Sequence, residues 1–522
     1  MSLPFLNLHR AWAEPNVLAD SGLSEKVGQL LFVGISDTHL SERTIKDLRD
    51  IQPGAVILFK RNIVGLKQTT ALTAQLRGIN KEYASLPLLI ATDQEGGRVA
   101  RIEFTPSMPS PLALGMTKDA KIVESVSFEA GKFLRYLGFN MNLAPVLDVL
   151  LQGGSSFIGE RSFGSSPKLV GQLGVAFAQG QLRAGIIPTS KHFPGAGLLT
   201  KDPHVEKVQV DSFAESSLSP FRQFAQVFPS AVMLSHSTYP SLDASGLPAT
   251  FSPKIISEML IHDMEYKGLI ITDDLKMGAM KGTVPGDIGN ADIGELAVRS
   301  FLAGADLLMI TWSPKDQRAA KAALLKAVQT GRIPLAELES RVKKIAHVKN
   351  LVAPLIRTPA KVDNEDTFES KNLALLDDQI LSLNLRRELK SMVVPSYRER
   401  FVVVSRTPSF RWGFERALGK PVGVLSSQEF LKLAENSAPE KLLLSEYDCF
   451  IFPIYSRRDA IFLNSMGKEI RRKTIAVNFA SPGLIESAPL RGVLNLFHPH
   501  VNSGKLLGHL IRESDVRTPT SF

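Results

Sequence analysis

The sequence has little cysteine and no long hydrophobic run, and each shortage excludes a class of protein. Cys449 is the single cysteine among 522 residues, so the chain cannot form an internal disulfide and is not a disulfide-stabilised secreted fold. No uninterrupted apolar stretch reaches the roughly 20 residues that a membrane-spanning helix needs. Residues 1–13 lack the basic start and the long apolar core of a secretory signal. We therefore expect a cytoplasmic protein that has no membrane partner.

The sequence also lacks a concentrated patch of one charge. The net charge is +9 at pH 7, but the basic clusters are short, such as Arg386-Arg387 and Arg471-Arg472-Lys473. No stacking aromatic motif accompanies them, so a solvated surface explains them better than a nucleic-acid partner. With 44% hydrophobic and 22% charged residues, the composition is typical of a globular protein of two or three domains.

The first 355 residues alternate apolar, β-type runs with amphipathic helical stretches. The predicted strands are Leu31–Ile35, Ala55–Phe59, Pro87–Asp93, Phe139–Val146, Ile186–His192, Ala231–His236, Leu269–Asp273 and Asp306–Thr311. Helical stretches between them include Leu66–Tyr83, Ala120–Leu137, Pro167–Arg183, Ser252–Met264 and Ile293–Ala303. This alternation predicts an α/β fold, a (β/α)8 TIM barrel. A doubly wound open sheet is the competing arrangement, but the Gly-rich nucleotide turn typical of it is missing.

The pattern changes after about residue 355. An acidic, polar linker precedes a predicted helix over Leu373–Lys390. Short apolar strands then alternate with helical patterns, at Phe401–Val404, Val422–Leu425, Cys449–Ile454, Thr474–Asn478 and Gly492–Leu496. They predict a smaller α/β domain with a mostly parallel sheet. The expected division is an N-terminal extension (1–23), the barrel (24–355), a linker and helix (356–392) and the C-terminal domain (393–522).

Polar and ionisable residues follow the predicted barrel strands, where the chemistry of a TIM barrel takes place. They are Asp93, Arg98, Asn142, Asp148, Lys191, His192, His236, Asp273 and Asp274. Residues that only cap the following helices would more often be Ser, Thr and Asn than Lys, His and Arg. The convergence predicts a functional site at this rim of the barrel.

Asp273 ends the buried run Gly268-Leu-Ile-Ile-Thr and delivers a carboxylate to the rim. Such a residue can be a nucleophile, a metal ligand or a helix N-cap, and the residues alone leave these alternatives open. On an extended backbone, Asp274 points away from Asp273, so at most one of them faces the barrel axis unless a turn begins between them.

The segment from Thr189 to His204 leaves a predicted strand and enters a loop marked by Pro194, Gly195 and Gly197. It carries Asp202 and His204, two residues apart. In one interpretation the carboxylate orients the imidazole and raises its proton affinity, which suits an acid–base pair. In the other, the loop is solvated, the Asp is an N-cap and the His has no role.

Several motifs together carry a family resemblance. They are Lys191-His-Phe-Pro-Gly-x-Gly with Asp202-x-His204, Asp93-Gln-Glu-Gly-Gly-Arg98, Asn142-Leu-Ala-Pro-Val-Leu-Asp148, Gly159-Glu-Arg-Ser-Phe163 and Ile271-Thr-Asp-Asp274. Over residues 24 to 350 the chain resembles glycoside hydrolase family 3, and within it the β-N-acetylglucosaminidase (β-hexosaminidase) branch of peptidoglycan recycling. Multi-domain members of this family carry an α/β sandwich after the barrel.

The resemblance implies a retaining exo-β-N-acetylglucosaminidase that needs no metal or cofactor. Asp273 would be the nucleophile, His204 the general acid and base, and Asp202 its orienting partner. Substrate-binding positions would be Asp93, Arg101, Arg161, Lys191, His192 and, at the rim, His236. The implied partner is a GlcNAc-containing glycan or muropeptide, and a homodimer is possible. β-Glucosidase or phosphorylase activity is the alternative within the same family.

One position departs from the family pattern: many relatives have His where this chain has Ala196. The acid–base pair is intact, so we expect activity to be kept, with aglycone preference and loop placement open to change. Two functions of other classes stay open. One is a metal-dependent barrel hydrolase that uses His192, His204, His236 and Asp273 as ligands. The other is a sugar-binding protein without catalysis.

Overall fold

We analysed a computed structural model of the 522-residue chain. It describes residues 21–103, 106–150, 156–197, 205–280, 292–356 and 370–389. Towards the C-terminus it describes 399–404, 422–425, 447–455, 457–466, 468–479 and 492–496, with a few single positions elsewhere.

Eight parallel strands form the first sheet, as the sequence predicts. They are β1 (Leu31–Gly34), β2 (Ala55–Ile57), β3 (Leu89–Thr92), β6 (Met141–Asn142), β7 (Ile187–Phe193), β8 (Ala231–Leu234), β9 (Leu269–Thr272) and β10 (Leu308–Ile310). A short hairpin, β4 (Gln94–Gly96) and β5 (Val99–Ala100), follows β3. The strand order runs from β10 through β1 to β9, and a parallel bridge between Ile271 and Leu307 joins the two ends. The sheet is therefore a nearly closed TIM-type barrel.

Helices surround the barrel. They are α1 (Leu23–Gly28), α2 (Glu42–Ile51), α3 (Leu66–Tyr83), α4 (Pro111–Thr117), α5 (Ala120–Tyr136), α6 (Pro167–Ala184), α7 (Ser219–Phe224), α8 (Ile293–Ala303), α9 (Pro314–Gln329) and α10 (Leu335–Ile356). The predicted helix over Ser252–Met264 is present as a π-helix, Lys254–Asp263. Among the described residues, no helix is long and apolar enough to cross a membrane.

The barrel strands are almost completely buried, because the barrel interior covers one face of the sheet and the helices cover the other. All four residues of β1, β3, β8 and β9 are buried. Such strands need apolar side chains on both faces, which explains why their sequences are continuous apolar runs instead of alternating ones. Their carboxyl ends converge at one rim, where Glu95, Asp148 and Lys191 are among the buried polar residues.

The second sheet is also parallel, with the strand order β12-β11-β13-β14-β15. These strands are β11 (Phe401–Val404), β12 (Gly423–Leu425), β13 (Cys449–Ile454), β14 (Thr474–Asn478) and β15 (Gly492–Asn495). Helix α11 (Lys371–Leu389) precedes them, and α12 (Arg457–Ser465) and α13 (Lys468–Arg472) lie between β13 and β14. Helix α11 packs against α4 and α5, and Asn384 donates a hydrogen bond to the carbonyl of Ala113 at 2.9 Å. The fold thus has the barrel and the smaller α/β sheet that the sequence predicts.

Candidate active site

A cavity of about 530 Å³ opens at the carboxyl ends of the barrel strands. Its volume lies within the roughly 300–1,000 Å³ that is usual for small-molecule sites. The residues predicted from the sequence that line it are Asp93, Arg98, Arg101, Arg161, Lys191, His192, Asp273 and Asp274. Side chains as far apart in the sequence as Asp93 and Asp274 therefore line one cavity. A barrel requires this, because the carboxyl ends of its strands meet at one rim.

Lys191 lies at the floor of this cavity and binds two carboxylates. Its Nζ is 2.8 Å from Asp93 Oδ1 and 2.7 Å from Glu95 Oε1. Burial by itself lowers the pKa of Lys191, but the charges of Asp93 and Glu95 outweigh burial and raise it. The side chain therefore stays an ammonium group, with two of its three donors used by carboxylates and one left for a ligand.

Glu95 is completely buried and forms a bidentate ion pair with Arg161. Arg161 Nε and Nη2 each lie 2.8 Å from a carboxylate oxygen of Glu95. Burial opposes the charged carboxylate, but Arg161 and Lys191 more than compensate and hold the pKa of Glu95 well below its ordinary value. In turn, Glu95 keeps the buried Arg161 guanidinium charged. Glu95 was not among the predicted site residues.

Arg101 closes the same network from the outer side. Its Nη2 lies 3.3 Å from Asp93 Oδ2. Burial raises the pKa of Asp93, while Lys191 and Arg101 lower it by more, so the pKa lies below its ordinary value. The network of Asp93, Glu95, Arg101, Arg161 and Lys191 therefore holds charged donors and acceptors in fixed positions at the floor of the cavity.

His192 is oriented by Asp148, a residue that the sequence predicts at this rim without assigning it a role. His192 Nδ1 lies 2.7 Å from Asp148 Oδ2, and the backbone N–H of His192 donates to Asp148 Oδ1 at 3.2 Å. Because a carboxylate only accepts, the proton of the neutral ring lies on Nδ1, and Nε2 is then an acceptor for a ligand hydroxyl. Asp148 Oδ1 also accepts from the N–H of Ala196 at 2.6 Å.

Asp273 follows the last residue of β9, and a turn begins there, so both Asp273 and Asp274 line the cavity. Asp273 accepts from the N–H of Asp274 at 2.8 Å. The carboxylate of Asp274 accepts from the Thr311 hydroxyl and, at 3.1 Å, from the N–H of Lys276. Burial raises the pKa of Asp274 despite these hydrogen bonds. The turn that presents Asp273 is thus fixed to the end of β10.

His236 is buried behind this turn, beside the main cavity. Its Nε2 lies 3.1 Å from the carbonyl oxygen of Asp274, and its Nδ1 lies 2.7 Å from the Thr250 hydroxyl. Both ring nitrogens therefore have protein partners, and the ring supports the Asp273–Asp274 turn. Within the described part of the chain, no group of three or more His, Cys, Asp or Glu side chains is placed to hold a metal ion.

Asp202 and His204 lie outside the described residues, and two hydrogen bonds hold the start of their segment. The Tyr239 hydroxyl donates to the carbonyl of Gly195 at 3.1 Å, and Ser156 Oγ donates to the carbonyl of Gly197 at 2.8 Å. A Cβ on residue 197 would lie 1.9 Å from the carbonyl oxygen of Val149, so this close approach requires glycine. Ala196 is buried beside His192 and His236.

Further cavity residues escaped prediction. Glu95 could have been predicted from its spacing to Asp93, because residues 93 and 95 of an extended segment point to the same side. Asp148 was predicted at the rim, but its hydrogen bond to His192 was not, because that bond forms only where segments following two different strands meet. Phe59 and Trp312 lie at the mouth of the cavity. Apart from their positions at strand ends, nothing in the sequence marks them as site residues.

Comparisons with known proteins find relatives of this chain in sequence and in structure. The model of the glycosyl hydrolase family 3 N-terminal domain matches residues 22–348. The chain is 32% identical over 323 residues to β-hexosaminidase A of Pseudoalteromonas piscicida and spans about half (53%) of that protein's length, against 57% of its own. It is 31% identical over 337 residues to a β-hexosaminidase of Nitrosomonas eutropha, covering 62% of this chain and 92% of that one.

A solved structure of a family 3 β-N-acetylglucosaminidase from Paenibacillus sp. str. FPU-7 superposes with a TM-score of 0.80. The two sequences are 28% identical, and the match covers 94% of this chain and 97% of that one. The similarity therefore extends beyond the barrel into the second sheet.

Proposed function

The chain belongs to glycoside hydrolase family 3, and from that premise we propose that it is a retaining exo-β-N-acetylglucosaminidase. It removes a terminal GlcNAc residue from peptidoglycan fragments or related glycosides. The observation that carries the proposal is Asp273 at the end of β9, opening into a sugar-sized cavity whose floor is the Asp93–Lys191–Glu95 network. The relatives named β-hexosaminidase support the choice of sugar.

In the first step, the Asp273 carboxylate attacks the anomeric carbon while the bond to the leaving oxygen breaks. His204 donates its proton to that oxygen, so the leaving group departs as a neutral alcohol. The product of this step is a glycosyl ester on Asp273. The turn held by Thr311 and His236 keeps the attacking oxygen in place, which lowers the entropic cost of the step.

In the second step, His204 takes a proton from water, and the resulting hydroxide attacks the anomeric carbon and releases Asp273. Two inversions give net retention. Throughout, Lys191 and Arg161 act as donors to the sugar, and Asp93 and His192 Nε2 act as acceptors. Their geometry is fixed by ion pairs in the protein, so little reorganisation is needed when the oxocarbenium-like transition state forms.

A panel of aryl β-glycosides tests the sugar specificity. We expect the N-acetylglucosaminide to be cleaved with a higher kcat/KM than the glucoside and the xyloside, and NMR of the first product to show retained configuration. A preference for the glucoside would overturn the choice of sugar and leave the family unchanged. Chelation should not alter the rate, whereas activity lost on chelation and restored by metal would favour a metal-dependent hydrolase.

Covalent trapping tests the mechanism. Incubation with a 5-fluoro-N-acetylglucosaminyl fluoride should add one glycosyl mass, and peptide mapping should place it on Asp273. The Asp273→Asn variant is the control and should remain unlabelled. Binding of the sugar without any adduct or turnover would instead indicate a sugar-binding protein.

A further inference from the structure

Trp312 stands out at the mouth of the cavity. It follows Thr311 at the end of β10, lines the cavity and is 53% exposed. An exposed indole offers a large apolar face, and tryptophan is enriched where proteins bind ligands. A single exposed aromatic side chain is common on protein surfaces and does not by itself indicate a binding site. The contacts of Trp312 are therefore the evidence for its role.

The indole is held rigidly although it is exposed. The guanidinium carbon of Arg61 lies 3.9 Å from the centre of the Trp312 ring and 4.5 Å from that of Phe59. The two rings are nearly parallel, with centroids 6.3 Å apart. Arg61 Nη2 in turn donates to the carbonyl of Ile35 at 3.2 Å. Stacking and cation–π contacts therefore orient the indole before any ligand arrives, which reduces the entropic cost of binding.

The cluster of Phe59, Arg61 and Trp312, here called the rim platform, is linked to the catalytic turn. Thr311, the residue before Trp312, donates its hydroxyl to Asp274, the residue after Asp273. On the other side, the Arg101 guanidinium binds Asp93 and lies 5.9 Å from the centre of the Phe59 ring. The platform is thus held beside the Asp273–Asp274 turn and Arg101, with the exposed Trp312 at its outer side.

We infer that the rim platform is the subsite for the leaving group, and that Trp312 stacks on the pyranose ring of a second sugar. This inference rests on the proposed function. The ionic floor satisfies the hydroxyls of one sugar, and in an exo-acting enzyme the leaving group points out towards the mouth. The apolar C–H face of a pyranose matches an indole face, and Arg61 and Phe59 act as positioning residues behind it.

Two substrates isolate this contact. Methyl N-acetyl-β-glucosaminide and N,N′-diacetylchitobiose both have alkoxide leaving groups that need protonation, and they differ in the extra ring. Trp312→Ala should lower kcat/KM for diacetylchitobiose about tenfold or more relative to the methyl glycoside. Trp312→Phe should keep most of the activity on both. Phe228→Ala is a matched control, because Phe228 is 37% exposed, stacks on His347 and lies before β8 at the opposite end of the barrel.

Equal losses on both substrates would overturn the inference, since Trp312 would then contact the reacting sugar. No loss on diacetylchitobiose would overturn it as well. If the wild type cleaves no N-acetylglucosaminide, the proposed function fails. Binding of diacetylchitobiose then tests the rim platform independently of catalysis.

The binding measurement does not require the protein to cleave the sugar. The chain has three tryptophans, so Trp12→Phe with Trp412→Phe leaves Trp312 as the fluorophore. In the Asp273→Asn background, diacetylchitobiose should change its emission in a saturable way, whereas GlcNAc alone should not. The same change with GlcNAc alone, or none with diacetylchitobiose, would refute the assignment.

Discussion

Glu95 and Arg161, 66 residues apart in the sequence, form a bidentate ion pair in which both N–O distances are 2.8 Å. Glu95 is completely buried, and Arg161 is almost so. Lys191 binds the same carboxylate, so one buried anion organises two cations of the cavity floor. Arg161 therefore lines the cavity while its Nε and Nη2 are bound by a carboxylate inside the protein. Because of this arrangement, a substitution of Glu95 should affect the stability of the folded protein.

Glu95→Gln should destabilise the protein strongly, because it leaves two buried cations with one fewer carboxylate. Breaking a buried pair costs about 3–5 kcal/mol, whereas a surface pair contributes about 0–1 kcal/mol. Urea unfolding measures the loss. Glu103→Gln is the control, since Glu103 pairs with Lys60 on the surface and should unfold like the wild type. Equal midpoints for the wild type and Glu95→Gln would contradict the structural role.

The same pair predicts a pH dependence of stability. The pKa of Glu95 in the folded state lies below its ordinary value of 4.5. The unfolded state therefore binds more protons once the pH falls below about 4.5, so the contribution of Glu95 is complete above that pH and is lost on acidification. Free energies of unfolding at pH 5, 4 and 3 should fall less steeply for Glu95→Gln than for the wild type. If the free energies of unfolding of both proteins fall equally steeply with pH, other carboxylates cause the loss of stability in acid.

Asp273→Ala should fold normally and lose nearly all turnover. Removing a covalent nucleophile costs orders of magnitude in rate, whereas removing a helix N-cap costs about 1 kcal/mol of stability. The rate on an aryl N-acetylglucosaminide and the melting temperature, measured on one preparation, separate the two roles. A variant that keeps its activity but melts earlier would return Asp273 to a structural role.

His204→Ala should lose far more activity on a disaccharide than on a dinitrophenyl glycoside, because a good leaving group needs little protonation. Added azide should partly restore turnover by attacking the glycosyl-enzyme directly. Asp202→Asn should show a milder form of the same pattern, since the imidazole remains. Equal losses on both substrates without azide rescue would mean that another group donates the proton.

Lys349 predicts a second pH effect, remote from the cavity. It is fully buried, its Nζ donates to Gln29 Oε1 at 2.7 Å, and burial lowers its pKa to about 7, with Glu25 opposing the shift. Between pH 7 and its ordinary pKa of 10.5, the unfolded state binds the extra proton. Stability should therefore rise with pH in this window, by up to about 1.4 kcal/mol per pH unit from this group.

Lys349→Met should remove that part of the slope when urea unfolding is compared at pH 7, 8 and 9. Lys343→Met, at an exposed position of the same helix, is the matched control and should keep the wild-type slope. If Lys349→Met also keeps it, the buried amine does not titrate in this range.

Much of the fold was predictable because local patterns encode it. The runs at Leu269–Thr272 and Ala231–Leu234 are apolar on both faces, as strands between a barrel core and helices must be. Helix α3 begins and ends where its pattern predicts, at Leu66 and Tyr83. Strand ends such as Phe59 and Ile35 were less predictable, because only pairing with a neighbour decides where a strand stops.

The barrel, the second parallel sheet and the ionisable residues at strand ends could be predicted from the amino-acid sequence, because each depends on the order of apolar and polar residues along the chain. Which charges pair with one another depends on the folded chain. Glu95 binds Arg161 and Lys191, Asp148 orients His192, and Arg61 supports Trp312, each across dozens of residues or more. Coulombic and stacking energies depend on distance in space, and that distance is set only when the strands of the barrel close around a common axis.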